Sequence, residues 1–178
     1  MRFPWLAALA ALLYAVPSAA QTPESCAALQ SLLLSAGRVT AAAVVQPGAF
    51  SPAGAPAAQA AYDRLPAFCR VAATLTPTAD SDIKVEVWMP MAGWNRKLQS
   101  VGNGAWAGTI PYPALGAALA GGYATAGTDT GHVGNTAAFV PGHPEKLVDY
   151  GSRAVHEMTV AAKAILTRFY GRAPQRAY

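Results

Sequence analysis

Residues 97–108 read Lys-Leu-Gln-Ser-Val-Gly-Asn-Gly-Ala-Trp-Ala-Gly, a short β-like run that empties into three glycines within seven positions. Glycines let a backbone approach a ligand closely or take up φ > 0. The loop therefore has three readings: a cradle for a dinucleotide pyrophosphate, a set of N–H donors for a reacting oxyanion, or a tight turn. Downstream, Ala114–Ala120 reads as a short helix, Gly121-Gly122 ends it, and Tyr123–Thr128 reads as a strand leading to Asp129. Strand, loop, helix and strand in that order predict an α/β fold with a mainly parallel central sheet.

The rest of the chain supports that class. Ile83, Val85, Val87 and Met89 alternate with Lys84 and Glu86, the period-two pattern of a half-buried strand ending at Pro90. Val39–Val45 and Leu65–Thr76 read as extended, residues 26–37 as a helix, and the Pro/Gly/Ala-rich 47–56 as a loop. Val155, Met158, Ala162, Ile165 and Phe169 recur at spacings of three and four, the stripe of an amphipathic helix. Asp149 is its expected N-cap, Gly171 its stop, and Pro174 lies just beyond.

The first twenty residues have another purpose. Met1-Arg2 gives a positive start, Trp5–Val16 an apolar run, and Ser18-Ala19-Ala20 a small-residue exit before Gln21. That is the pattern of a signal peptide cleaved near Ala20 rather than of a membrane span. The other reading is an apolar core helix, which needs neither the Arg nor the small-residue exit. The expected mature protein, from residue 21, is secreted or periplasmic, with no membrane partner. In that compartment Cys26 and Cys69, the 2 cysteines present, read most simply as one disulfide. Two Cys without clustered His give no zinc site. The formal charge of +4 is scattered, with no Lys/Arg block, so a nucleic-acid partner has no support. Nothing in the sequence fixes an oligomeric state.

The dinucleotide reading has some merit, since Asp129 stands where a ribose-binding carboxylate would follow the βαβ unit. It would make the chain part of an oxidoreductase. Against it, the glycines run GxGxxxG rather than GxGxxG, and Pro111 and Pro113 occupy the expected helix start. The oxyanion reading asks only for backbone donors after a strand, which Gly102-Asn103-Gly104-Ala105 offers.

Three segments carry a resemblance: WNRKLQSVGNGAWAG (94–108), GGYATAGTDTGH (121–132) and DYGSRAVHEMTVAAKAILTRFYGRAP (149–174). They resemble the tannase/feruloyl esterase family of α/β-hydrolases, over most of the mature chain and including a Cys pair near its start. The resemblance implies a serine esterase whose partner is a small phenolic ester of feruloyl or galloyl type, or a monoester of an aromatic diacid. It places the oxyanion hole at Gly102, Asn103, Gly104 and Ala105, where the family usually has four glycines. Asn103 and Ala105 depart from that run, and Ala105 does not easily hold φ > 0. The implied donor is the N–H of Ala105 or of Gly104.

The same resemblance implies that the catalytic residues lie outside this chain. The family's nucleophile sits in a Cys-Ser-x-Gly-Gly elbow on the strand after the 149–170 helix, which is expected to follow Tyr178. The Asp and His of the triad come later still, as do a lid and its calcium site. No cofactor or metal is expected within these residues. The expectation is thus an incomplete α/β-hydrolase fold: residues 21–178 as the N-terminal part of a catalytic domain, inactive alone. The competing classes are a short protein that binds phenolic esters without cleaving them and a structural module. An open sheet lacking its central strand would leave apolar edges exposed, which favours the reading as part of an esterase over both of these.

The internal candidates are few. Asp129 and His132 read as shaping the loop after their strand or lying beside substrate, and Trp106 likewise. His143 reads as solvated, His156 as packed beside the helix stripe, and Ser100 lacks an elbow around it. There is no GxSxG.

Overall fold

The computed structural model describes residues 21–52 and 59–178. The expected signal peptide and part of the 47–56 loop lie outside these residues. Thr22 and Ser25 exchange side-chain-to-backbone bonds of 3.1 and 3.0 Å in a capping box around Pro23. They start α1 (Pro23–Ala27) earlier than the expected helix over 26–37. A 3₁₀ turn, Ala28–Ser31, follows, and by Leu33–Leu34 the chain is already β1. The helix is therefore much shorter than expected.

β2 (Gly37–Val45), β3 (Phe68–Leu75) and β4 (Ile83–Pro90) then form an antiparallel meander. A short helix α2 (Gln59–Tyr62) interrupts the long link before β3. β5 (Lys97–Ser100), α3 (Tyr112–Ala120) and β6 (Ala124–Thr128) make a βαβ unit whose strands pair in parallel. After β6 come α4 (Pro144–Val148), a π-helical turn at Asp149–Arg153, and α5 (Ala154–Tyr170). β7 (Arg176–Ala177) pairs in parallel on the far side of β5. The sheet order is β1-β2-β3-β4-β6-β5-β7.

The α/β class stands, and the expectation of a mainly parallel sheet is corrected. β1 to β4 and the β4–β6 pair are antiparallel; only β6, β5 and β7 run together. Residues 76–82 are too short a link between β3 and β4 for a crossover, so it can only be a hairpin. Among the described residues, helical crossovers occur only around β5, and there the strands are parallel.

β4 is also corrected from half-buried to buried on both faces. Ile83, Val85, Val87 and Met89 pack with Met158, Ala162, Ile165 and Phe169 of α5 in one core. Trp88 packs on the opposite face with Phe50, Tyr62, Phe68, Leu115 and Leu119. Glu86, expected to face water, is 5% exposed. Its carboxylate accepts bonds from Arg70 Nε (2.8 Å), Trp88 Nε1 (2.7 Å) and the Tyr112 hydroxyl (3.0 Å), besides its ion pair with Arg70 Nη2. A buried charge is tolerated when it is paired and hydrogen-bonded in this way.

Cys26 and Cys69 form a disulfide with Cα atoms 5.7 Å apart, tying α1 to β3. A cross-link over 43 positions stabilises by about 4 kcal/mol in the chain-entropy model. Asp149 is not an N-cap, because the helical run already begins at Pro144; it sits fully buried in the π-helical turn. Gly171 ends α5 with φ 67° as expected. Val155 is exposed and Ala154 takes its place in the core, while His156 is exposed rather than packed. Pro113 falls in the first turn of α3, where its missing N–H costs no helical bond. The prolines thus start that helix instead of interrupting it. Among the described residues no helix is long and apolar enough to cross a membrane.

Candidate active-site loop

The loops that leave the carboxyl ends of parallel strands converge at one edge of the sheet, where open α/β folds place their ligands. β5 delivers Val101–Gly108 there, and β6 delivers Asp129–Gly134. Val101 N–H donates to Ala126 carbonyl at 2.8 Å, and Gly108 N–H to Gly134 carbonyl at 2.7 Å, so the two loops are tied at both ends.

Gly102, Gly104 and Ala105 are exposed and Asn103 is half-buried. Their N–H groups donate to no backbone carbonyl among the described residues. The carbonyls of residues 104 to 107 are held instead. Ala107 N–H closes a turn on Gly104 carbonyl (3.2 Å), and the Tyr150 hydroxyl donates to Ala105 carbonyl. His132 Nε2 donates to Trp106 carbonyl (3.0 Å), since a carbonyl only accepts. Asn103 Nδ2 donates to the carbonyls of Ala107 (2.6 Å) and Thr109 (3.0 Å).

The glycines and the strained position do not coincide. Gly102 and Gly104 have ordinary φ and open space where a side chain would go, while Ala105 has φ 48°. Ala105 is the second residue of the Gly104–Ala107 turn and carries a positive φ there, a conformation that favours glycine. The left-handed state that Ala105 holds poorly is therefore the one it adopts.

The other candidates surround this turn. Trp106, 37% exposed, stacks on Tyr150 with ring centroids 4.6 Å apart. His132 is buried and stacks on Phe139 at 3.9 Å. Asp129 is buried too; its Oδ1 accepts from the N–H groups of Lys84 and Gly131, both at 2.9 Å. Burial pushes its carboxyl pKa up, against the pull of those two donors. A cleft of about 460 Å³ is lined by Lys84, Asp129, His132, Phe139, His143 and Lys146, and not by residues 102–105. His143 is exposed and contacts Asp80 at 2.8 Å.

Trp106, His132 and the glycine loop are thus brought together, whereas Asp129 serves the β4–β6 junction. Tyr150 and Phe139 complete the cluster without being expected from sequence. Tyr150 lies within the 149–174 segment, but only an aromatic directly after the buried Asp149 marks it there.

Comparison with known proteins agrees with this architecture. Residues 69–178 match the model of the tannase and feruloyl esterase family. The chain is 42% identical over 177 residues to an uncharacterized esterase of Xanthomonas campestris pv. campestris, covering 97% of this chain and 29% of that protein. It is 34% identical over 111 residues to a probable feruloyl esterase B-1 of Aspergillus fumigatus, covering 62% of this chain and 21% of that one. The crystal structure of feruloyl esterase B from Aspergillus oryzae superposes with a TM-score of 0.76 at 27% identity, over 88% of this chain and 31% of that one. The chain thus spans less than a third of the length of these relatives. With the fold, the sheet-edge loop and the family match in agreement, the chain belongs to the tannase and feruloyl esterase family, whose members are carboxylic ester hydrolases.

Proposed function

We propose that residues 21–178 form the oxyanion-hole side of a secreted serine esterase acting on phenolic esters of feruloyl or galloyl type. Residues 1–20 act as its signal peptide. The observation that carries this reading is the run Gly102–Ala105 at the carboxyl end of β5, exposed except for the half-buried Asn103, with N–H groups that donate to no backbone carbonyl among the described residues. Acyl transfer develops negative charge on the ester carbonyl oxygen, and a preorganised N–H about 3 Å from it lowers the barrier. The N–H of Gly104 or Ala105 takes that role. Trp106 offers a flat apolar face beside it for the aromatic ring of the substrate.

The nucleophile belongs on the continuation of β7, which neighbours β5, and the triad Asp and His follow it. Asp129 and His132 are not substitutes for them. The acceptor Oδ1 of Asp129 already holds two backbone N–H groups, and His132 Nε2 is committed to Trp106 carbonyl.

The test is hydrolysis of methyl ferulate and methyl gallate by the protein expressed in full from its gene, and by the 178-residue chain. The first is expected to cleave at least one ester, with inhibition by a serine-directed sulfonyl fluoride, and the second to cleave neither. Inhibitor-sensitive turnover by the 178-residue chain would place the triad inside it and sink this reading. So would inactivity of the full product on both esters.

A further inference from the structure

We propose that Tyr150 is a positioning residue for the oxyanion loop, acting through the carbonyl of Ala105. The inference rests on the oxyanion reading of Gly102–Ala105. In a trans peptide the C=O and the following N–H point in opposite directions. The carbonyls of residues 104 to 107 are all held. That of Gly104 is held by the Ala107 N–H, which turns the Ala105 N–H the opposite way, and that of Ala105 by Tyr150, which fixes the next peptide, so both peptides flanking Ala105 are set. Three of those carbonyls are held by side chains, and the clamp on Ala105 comes from Tyr150.

Ala105 is the position where a clamp is needed. It holds φ 48° without being glycine, a state disfavoured for L-residues by a clash between Cβ and the following carbonyl oxygen. A turn under such strain relaxes unless its surroundings over-determine it. Tyr150 supplies that constraint twice, through its hydroxyl on Ala105 carbonyl and through its ring stacked on Trp106 at 4.6 Å and 23°. His132 backs the same ring edge-on at 5.5 Å.

The backbone that presents Tyr150 is unusual in a matching way. Asp149–Arg153 is a π-helical turn between α4 and α5, a feature that inserts a residue into the helix and recurs at functional sites. Here it lets adjacent residues serve opposite purposes. Asp149 is fully buried and bound to Arg153 at 2.8 Å, while Tyr150 reaches the loop.

The test uses Tyr150→Phe in the protein expressed in full, because it keeps the ring stack and removes only the hydroxyl. Two readouts are taken: the exchange rate of the Ala107 amide, which closes the turn on Gly104, and kcat and KM for methyl ferulate or methyl gallate. The expected result is Ala107 exchange at least tenfold faster, kcat lowered about tenfold and KM changed less than twofold. Adding Ala105→Gly, which removes the strain the clamp opposes, is expected to recover most of the lost kcat. Unchanged Ala107 exchange in Tyr150→Phe overturns the clamp, whatever the kinetics. Faster exchange with unchanged kcat keeps the clamp and overturns the oxyanion assignment instead, so the two failures are distinguishable. Loss of kcat that Ala105→Gly does not recover assigns the hydroxyl another role and also overturns the proposal.

Discussion

A Cβ on Gly108 would lie 2.5 Å from the carbonyl oxygen of His132 and 2.6 Å from its ring Cδ2. Of the three glycines in the loop, it is therefore the one whose missing side chain the fold requires. The close approach lets Gly108 N–H reach Gly134 carbonyl and seats the strand-5 loop on the strand-6 loop.

Gly108→Ala is expected to destabilise the protein by about 2 kcal/mol or more, the cost of forcing an extra methyl into a packed site. The clashing oxygen belongs to the backbone and cannot rotate away, so the loops must part. Urea unfolding gives the check through a lower midpoint. An unchanged midpoint would mean that the two loops are not packed as described.

Ala105→Gly should act in the opposite direction. Glycine holds the same left-handed φ without the Cβ clash, which relieves roughly 1–2 kcal/mol, and its added freedom in the unfolded chain takes back about 0.4–1 kcal/mol. The net expectation is a gain of about 0.5–1 kcal/mol, read as a higher urea midpoint at unchanged slope. Gly102→Ala, at a position with open space and ordinary φ, is expected to change stability by less than about 0.5 kcal/mol, as surface substitutions usually do. A loss on Ala105→Gly as large as the expected gain would show that φ 48° is not strained here.

Asp129 separates a structural carboxylate from a catalytic one. Its Oδ1 holds the N–H groups of Lys84 and Gly131, and an asparagine side chain can accept the same two bonds. Asp129→Asn is expected to cost less than about 1 kcal/mol, because it also removes a buried charge that burial disfavours. Asp129→Ala leaves both donors orphaned and should cost about 2–4 kcal/mol. Esterase activity measured alongside should survive Asp129→Asn. A loss of several orders of magnitude in kcat from that variant would return Asp129 to the catalytic candidates.

The elements legible in the sequence were those whose signal is local. The alternation Ile83–Met89 marked β4, the stripe through Met158, Ala162, Ile165 and Phe169 marked α5, and the pair of cysteines marked its own bond. What escaped depended on partners far along the chain. Glu86 reads as an outward residue until Arg70, Trp88 and Tyr112 arrive from three elements to satisfy it. The Tyr150 contact with Ala105 spans 45 positions and leaves no periodic trace. The loop's glycines were visible as glycines, but which of them the fold needs was not. Strain fell on Ala105 and close packing on Gly108, and both depend on how the two loops meet.

The Glu86 cluster yields a prediction in pH. Burial, then the Glu86 charge and its accepted hydrogen bond, push the Tyr112 hydroxyl up to about 12 from the ordinary 10.0. Above pH 10 the unfolded chain loses this proton while the folded one keeps it, so folding binds a proton across that window. The stabilisation linked to Tyr112 is thus fully present below pH 10 and is lost as pH rises toward about 12. Tyr112→Phe should flatten this part of the alkaline stability curve. Glu86→Gln removes the charge but not the burial, so it should lower the Tyr112 titration midpoint without restoring it to the ordinary value. Tyrosinate absorbance, taken as the difference between each protein and its Tyr112→Phe counterpart, isolates the one hydroxyl. If Tyr112 titrates with an ordinary midpoint in the folded protein, its hydroxyl is not held against a buried carboxylate, and the inward placement of Glu86 fails with it.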